Sequence, residues 1–325
     1  VTALEIRDVA GVLQDHSRLV ILSHPDPDGD SIGSQLALCS VLRRLGKQAW
    51  AVSEDKMPAI YRFLEGPVCV ESPMEVSDPD LLVVVDASNR QRVSGLPALE
   101  ASGAEILNID HHRSNTRFGR WNYVDSEASA CAEQVYGILR HMDVDLTENE
   151  AACLYVGLLT DTGAFRFPNT TSGCLRIASE LVNHGFSAAE VSRRVFWEKT
   201  PESTRLLGLA LSALEVRHDG QIAVMHVSRD MSREAGASAS DSDGFASYTK
   251  VITGVKVGLL FREQNGEGVR VSLRSDSGVD VERVARLFGG GGHPTSAGCV
   301  LAGALDDVKR QVVGEVERLL DEQAK

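Results

Sequence analysis

Four apolar stretches in the first half of this chain each run into an aspartate. Leu19-Val20-Ile21-Leu22 leads into His24-Pro25-Asp26-Pro27-Asp28-Gly29-Asp30, Leu81-Leu82-Val83-Val84-Val85 into Asp86, and Glu105-Ile106-Leu107-Asn108-Ile109 into Asp110-His111-His112. The fourth, Leu154-Tyr155-Val156-Gly157-Leu158-Leu159-Thr160, stops at Asp161 and reads as the end of a helix. The first three have the short, continuous apolar character of parallel strands covered on both faces. Helical patterns alternate with them: an amphipathic helix carrying Leu4, Val9, Val12 and Leu13 on one face, and another over 31–45, before a further strand at 48–52. This alternation predicts a doubly wound α/β domain with a mostly parallel sheet. Parallel strands bring their carboxyl ends to one edge, where open α/β sheets collect ligands.

One aspartate at the end of a strand is ordinarily a turn residue or a helix cap. The 24–30 loop exceeds that need, because a cap requires one acceptor and this loop holds three aspartates and a histidine. Two carboxylates about 4 Å apart repel by roughly 4 kcal/mol at an effective dielectric near 20, a cost that a cation removes. Taken alone, the loop is compatible with a turn or with part of a metal site. Four such stops, two of them beside histidines, favour the site. Carboxylates with some imidazole suit Mn²⁺, Mg²⁺ or Fe²⁺ better than a thiolate-demanding structural zinc site. So many acids suggest two cations, the usual device for phosphoester hydrolysis.

Helices are expected over 171–185 and 188–197, and near residue 200 the pattern changes. A hairpin over 217–229 turns at Asp219-Gly220, strands over 254–263 and 269–274 pair through 264–268, and a helix over 305–322 ends the chain; 234–243 is expected as a mobile loop. The domain organisation predicted is 1–188, a helical linker or hinge over 189–207, and an α+β domain with a mixed sheet over 208–325. Gly289-Gly290-Gly291-Gly292-His293 is not a phosphate-binding Walker loop, since no Gly-Lys-Ser/Thr follows. Its bare backbone N–H groups suit an anion, with a flexible turn as the alternative. Arg270 and Arg274 alternate with apolar residues and project from one strand face, where a guanidinium can grip phosphate, with a solvated strand face as the alternative.

A formal net charge of −13 argues against coating long duplex nucleic acid, which relies on cationic side chains neutralising many phosphates. The six cysteines are scattered without a Cys-x-x-Cys pair, as expected of buried thiols in a reducing compartment. The apolar runs are too short to span a membrane, and no basic segment followed by an apolar one opens the sequence, so the expectation is a cytoplasmic protein without membrane attachment.

The set resembles the DHH phosphoesterase superfamily, named for the triplet that stands here as Asp110-His111-His112. Its first motif is matched by His24-Pro25-Asp26-Pro27-Asp28-Gly29-Asp30-Ser31-Ile32-Gly33-Ser34, its second by Val85-Asp86 and its fourth by Thr160-Asp161-Thr162-Gly163. The stretch 288–298 is similar to the glycine-rich histidine motif of the DHHA1 domain that follows the catalytic domain in one branch. The resemblance implies two manganese ions, with Mg²⁺ or Co²⁺ as substitutes. His24, Asp28 and Asp86 would hold one ion, and Asp30, Asp86, His111 and Asp161 the other, with Asp26 a turn residue outside the set. It further implies that Asp110 supports the site, that His112 faces the phosphate, and that Arg270, Arg274, Gly290, Gly291, Gly292 and His293 bind the nucleotide across a cleft that a hinge near residue 200 opens and closes. Within the superfamily the length and ending resemble the nano-RNase and 3′-phosphoadenosine-5′-phosphate phosphatase group. The expected activity is metal-activated water attack on very short oligoribonucleotides, a nucleoside bisphosphate, or both, by a chain for which a homodimer is allowed. Cyclic or linear dinucleotide phosphodiesterases are the alternative, and a non-catalytic nucleotide sensor is the alternative from another class.

Overall fold

The computed structural model describes the chain except residues 1–3, 26, 54–56, 65–68, 71–75, 77, 94, 101, 265, 267, 277, 324 and 325. The reading of Asp26 as a turn residue, and the Asn265 and Glu267 positions of the second expected turn, lie outside the described residues, as does the burial of the Cys69 side chain. The chain divides into two compact units, Val1–Trp197 and Glu198–Lys325.

Unit 1 contains β1 (Arg18–Leu22), β2 (Gln48–Val52), β3 (Cys69–Val70), β4 (Leu81–Val85), β5 (Glu105–Asp110) and β6 (Trp121–Val124), with α1 (Ile6–Asp15), α2 (Gly29–Arg44), α3 (Leu96–Glu100), α4 (Cys131–His141), α5 (Glu148–Asp161), α6 (Ser172–Val182) and α7 (Ala188–Ser192). A π-helical turn, Arg193–Trp197, continues from α7. The strands lie in the order β3-β2-β1-β4-β5-β6, and every pairing in this sheet is parallel. Strand order reverses between β1 and β4, the switch point at which such sheets bind ligands.

The strands are apolar throughout because alternate residues are buried on opposite faces. Leu19, Ile21, Leu81, Val83, Val85, Leu107 and Ile109 pack with α2, α4 and α5, whereas Val20, Leu22, Leu82, Val84 and Ile106 pack with Leu96 and Leu99 of α3. Each full burial of such a side chain contributes about 1.5–3 kcal/mol. Glycines let the helices close over the sheet edge. A Cβ at Gly33 in α2 would run into the Cys153 carbonyl of α5, and one at Gly157 in α5 would lie 2.8 Å from Asp30 Oδ1. The glycine at 157 thus leaves room for a carboxylate.

Unit 2 contains α8 (Pro201–Ser212), β7 (Glu215–Arg217), β8 (Ile222–Val227), α9 (Arg229–Ala235), β9 (Val257–Glu263), β10 (Val269–Ser275), α10 (Val281–Leu287), β11 (Gly291–His293), β12 (Ser296–Leu301) and α11 (Leu305–Gln323). Its sheet runs β11-β12-β10-β9-β8-β7 and is mixed, with β8 and β9 parallel and the other neighbours antiparallel. The expected hairpin is present, with Arg217 opposite Ile222 across the Asp219-Gly220 turn. Residues 234–243, expected as a mobile loop, carry the end of α9 and a 3-10 turn. Asp241 accepts from Thr200 Oγ1 at 2.8 Å and from Ser238 N at 2.8 Å, and its carbonyl accepts from Ser203 Oγ. The short polar residues that suggested a loop are the ones that cap a 3-10 turn at Ala239–Ser242. The glycine run also departs from an open loop, because Gly291–His293 pairs with β12 and a Cβ at Gly290 would meet the Gly298 carbonyl. Close strand pairing demands that glycine.

Candidate metal centre

Each acid-bearing segment reaches the sheet edge by a local rule. Asp28 is the N-cap of α2, its Oδ1 accepting from the backbone N–H groups of Asp30 (3.1 Å) and Ser31 (3.0 Å). Being a cap does not remove it from the cluster, since the same carboxylate is 3.9 Å from His24 Nε2. Asp30, in the first turn of α2, is 1% exposed and caps another helix: Cys131 N donates to Oδ2 at 2.6 Å and Ala132 N to Oδ1 at 2.8 Å. Those donors open α4, whose own N-cap, Ala130, has no side-chain acceptor. Asp161 ends α5 and accepts from Asn169 Nδ2 at 3.2 Å.

Asp86 stands at the centre. Its Oδ2 lies 3.4 Å from His24 Nε2, and its Oδ1 lies 3.5 Å from His111 Nε2 and 3.7 Å from His112 Nδ1. His111 Nε2 is also 3.8 Å from Asp30 Oδ2 and 3.9 Å from Asp161 Oδ2. Three sets of donor atoms, each within 4.8 Å of one another, share Asp86: His24 with Asp28, Asp30 with His111, and Asp110 with His112. Backbone carbonyls orient both imidazoles. His24 Nδ1 is 2.8 Å from Pro25 O and His111 Nδ1 is 3.2 Å from Ala128 O, which leaves each Nε2 toward the acids. His112 Nδ1 is 2.7 Å from Asp110 Oδ1.

The electrostatics show how crowded these acids are. Burial and the neighbouring Asp86 push the Asp30 carboxyl well above the usual carboxylate range, and burial raises Asp161 to about 6. Burial would also raise Asp86, but the close imidazoles of His111 and His24 hold it well below that range. Burial alone would lower the imidazoles. The contact with Asp86 and the neighbouring acids outweighs it, taking His24 to about 10 and His111 well above its ordinary value. Asp86 Oδ1 is buried yet accepts no hydrogen bond of ordinary geometry. Buried carboxylates normally avoid that condition. Oxygen donors in excess over imidazole, converging on an unsatisfied carboxylate oxygen, fit hard or borderline divalent cations. The described residues of unit 1 can therefore hold metal.

Several supporting residues lacked a sequence signal. Asn115 Nδ2 donates to Asp110 Oδ2 (2.5 Å) and to Asn108 Oδ1 (2.8 Å), and Asn169 joins Asp161 to Ser129, whose carbonyl it reaches at 2.9 Å. Asn108 alone carries a signal that could have found it, an amide between the apolar Leu107 and Ile109 of β5. Among the residues expected to bind nucleotide, Arg270 and Arg274 lie on β10, Gly291, Gly292 and His293 form β11, and Gly290 precedes it, all in unit 2.

Residues 18–158 match the model of the DHH family, N-terminal domain, and residues 219–322 that of the DHHA1 domain. The chain is 37% identical over 97% of its length, and 94% of the relative's, to the bifunctional oligoribonuclease and PAP phosphatase NrnA of Thermus thermophilus. It is 28% identical to the protein of the same name from Bacillus subtilis, covering 94% of this chain and 96% of that one. Among solved structures, an exopolyphosphatase-related protein from Bacteroides fragilis is similar with a TM-score of 0.88 and 26% identity, over 97% of both chains.

Proposed function

The chain belongs to the DHH family and carries a DHHA1 domain, and on that premise we propose that it is a metal-dependent phosphoester hydrolase that cuts very short oligoribonucleotides to mononucleotides and removes the 3′-phosphate from 3′-phosphoadenosine-5′-phosphate. The observation that supports this reading best is Asp86, one buried carboxylate common to three donor sets at the switch point of a parallel sheet. Two manganese ions are the proposed occupants, one held by His24, Asp28 and Asp86, the other by Asp30, Asp86, His111 and Asp161. Bound there, they supply Lewis acidity and neutralise phosphate oxygens.

The chain's own residues do the rest. Asp110 Oδ1 engages His112 Nδ1 and so orients the ring, and Nε2 is the atom proposed to hold a proton toward the phosphate or its departing oxygen. Asn115 pins the other oxygen of Asp110. In unit 2, Arg274 and Arg270, with Gly290, Gly291, Gly292 and His293, are the proposed nucleotide contacts. Substrates are short single strands or a nucleoside bisphosphate, in keeping with a net charge of −13. Among the described residues no helix is long and apolar enough to cross a membrane.

The deciding experiment assays a dinucleotide, a pentanucleotide, a 24-mer RNA, the bisphosphate nucleotide and cyclic dinucleotides, each with Mn²⁺ and with EDTA. Mononucleotide release from the short RNAs and phosphate release from the bisphosphate, both abolished by EDTA, are expected. Preferential opening of cyclic dinucleotides would replace this reading with a dinucleotide phosphodiesterase, and binding without turnover of any substrate would replace it with a sensor.

A further inference from the structure

We propose that Asn108 is a positioning residue for Asp86: its buried amide clamps the backbone turn that presents the Asp86 carboxylate, and it joins that turn to the Asp110–His112 pair. The inference rests on the hydrolytic reading above and adds a residue to it.

Asp86 follows β4 directly and has a φ of +55°. This is the left-handed region, uncommon for residues with a side chain though less so for aspartate, and such a turn persists where the surroundings hold it. Two contacts from β5 bracket the turn. Asp86 N donates to the Ile109 carbonyl at 3.0 Å. Asn108, paired with Val84 in register and 0% exposed, donates through Nδ2 to the carbonyls of Val84 (3.3 Å) and Ala87 (3.2 Å), one on either side of the turn. A buried amide is unfavourable unless its polar atoms are satisfied, and here the atoms that satisfy it are those that shape the Asp86 backbone.

The acceptor end of the same amide faces the other half of the site. Asn108 Oδ1 accepts from Asn115 Nδ2 at 2.8 Å, and that nitrogen also reaches Asp110 Oδ2 at 2.5 Å and the Ala87 carbonyl at 3.3 Å. Asp110 Oδ1 is the partner of His112 Nδ1. One chain of amides therefore runs from the left-handed turn at Asp86 to the imidazole proposed to face the phosphate. Leu107 and Ile109 on either side are apolar and fully buried, so an apolar residue at 108 would fill the strand while leaving this clamp out.

The test compares Asn108→Ala with Leu107→Ala, a cavity in the same strand that does not touch the amide chain. Thermal melts report stability, calorimetric titration of the full chelator-stripped chain with Mn²⁺ reports affinity, and pentanucleotide kinetics separate kcat from KM. Both variants lose stability. Only Asn108→Ala is expected to bind Mn²⁺ about 10- to 100-fold more weakly and to lose kcat by a similar factor, the range ordinary for residues that orient metal ligands. Its KM stays within about threefold, since ground-state binding is not what the amide supplies. Wild-type Mn²⁺ affinity and kcat in Asn108→Ala, or equal losses in Leu107→Ala, overturn the proposal. Asn115→Ala, at the half-buried end of the chain of amides, serves if Asn108→Ala does not fold; an about 3- to 10-fold loss of kcat is expected from the same class of effect, and no loss overturns the proposal. A wild-type chain that binds no Mn²⁺ overturns the hydrolytic reading itself, a result distinct from any failure of Asn108.

Discussion

At the scale of single residues, the centre is built from acids that also perform ordinary structural work. Asp28 caps its own helix and Asp30 caps α4, yet both face histidines of the cluster. A residue with two duties is hard to assign from sequence, because the cap explains it fully and the second duty depends on neighbours far along the chain. Asp30→Asn is the informative substitution. It keeps an acceptor oxygen for α4 but removes the charge and turns the other oxygen into a donor facing a backbone N–H. On the order of a hundredfold or greater loss of Mn²⁺-dependent turnover is expected, with modest loss of stability. Turnover within a few fold of the parent chain would remove Asp30 from the proposed ligand set.

At the scale of elements, α2 and α5 hold the site against the sheet. Their far ends are locked by Glu150, whose carboxylate is 1% exposed and accepts from Ser40 Oγ (2.6 Å), Arg44 Nε (3.0 Å), Arg44 Nη2 (2.9 Å) and Thr147 N (2.8 Å). Burial would raise its pKa, but the hydrogen bonds from Arg44, Ser40 and Thr147 win and hold it below its ordinary value of 4.5. A depressed folded-state pKa gives stability that is present above the unfolded value and lost as pH falls through the folded one. The stability advantage of the parent over Glu150→Gln should accordingly hold at pH 7 and shrink below pH 4.5, measured by urea unfolding at each pH. An advantage independent of pH would mean that the carboxylate is not ionised in this lock. The elements themselves were legible where periodicity was strong: β1, β2, β4, β5, α2 and α11 fall within a few residues of the segments expected. The short strand β11 was not, since glycine has low strand propensity and its pairing with β12 depends on backbone approach.

For the molecule as a whole, the proposed metal links binding to folding. A ligand that binds only the folded chain stabilises it by about 2.7 kcal/mol at a hundredfold excess over its dissociation constant. Adding Mn²⁺ to the chelator-stripped protein should therefore raise Tm by several degrees, and Arg274→Ala, in unit 2, should show the same shift while raising KM for substrate. Loss of the shift in Arg274→Ala would place that arginine in the metal centre instead of among the substrate contacts.

The sequence by itself determined the parallel α/β class of unit 1, the α+β class of unit 2 and the acids that stop at strand and helix ends, because burial on two faces writes continuous apolar runs and their interruptions are visible. Only the tertiary structure decided which of those acids meet. Asp86 became the shared carboxylate because β1 and β4 are neighbours at the switch point and a left-handed turn follows β4. Asn108 and Asn115 came to support the Asp86 turn and Asp110, and Asn169 came to support Asp161, because their partners lie on other segments. A hydrogen bond between distant segments leaves no periodic trace in a chain, whereas a buried face does.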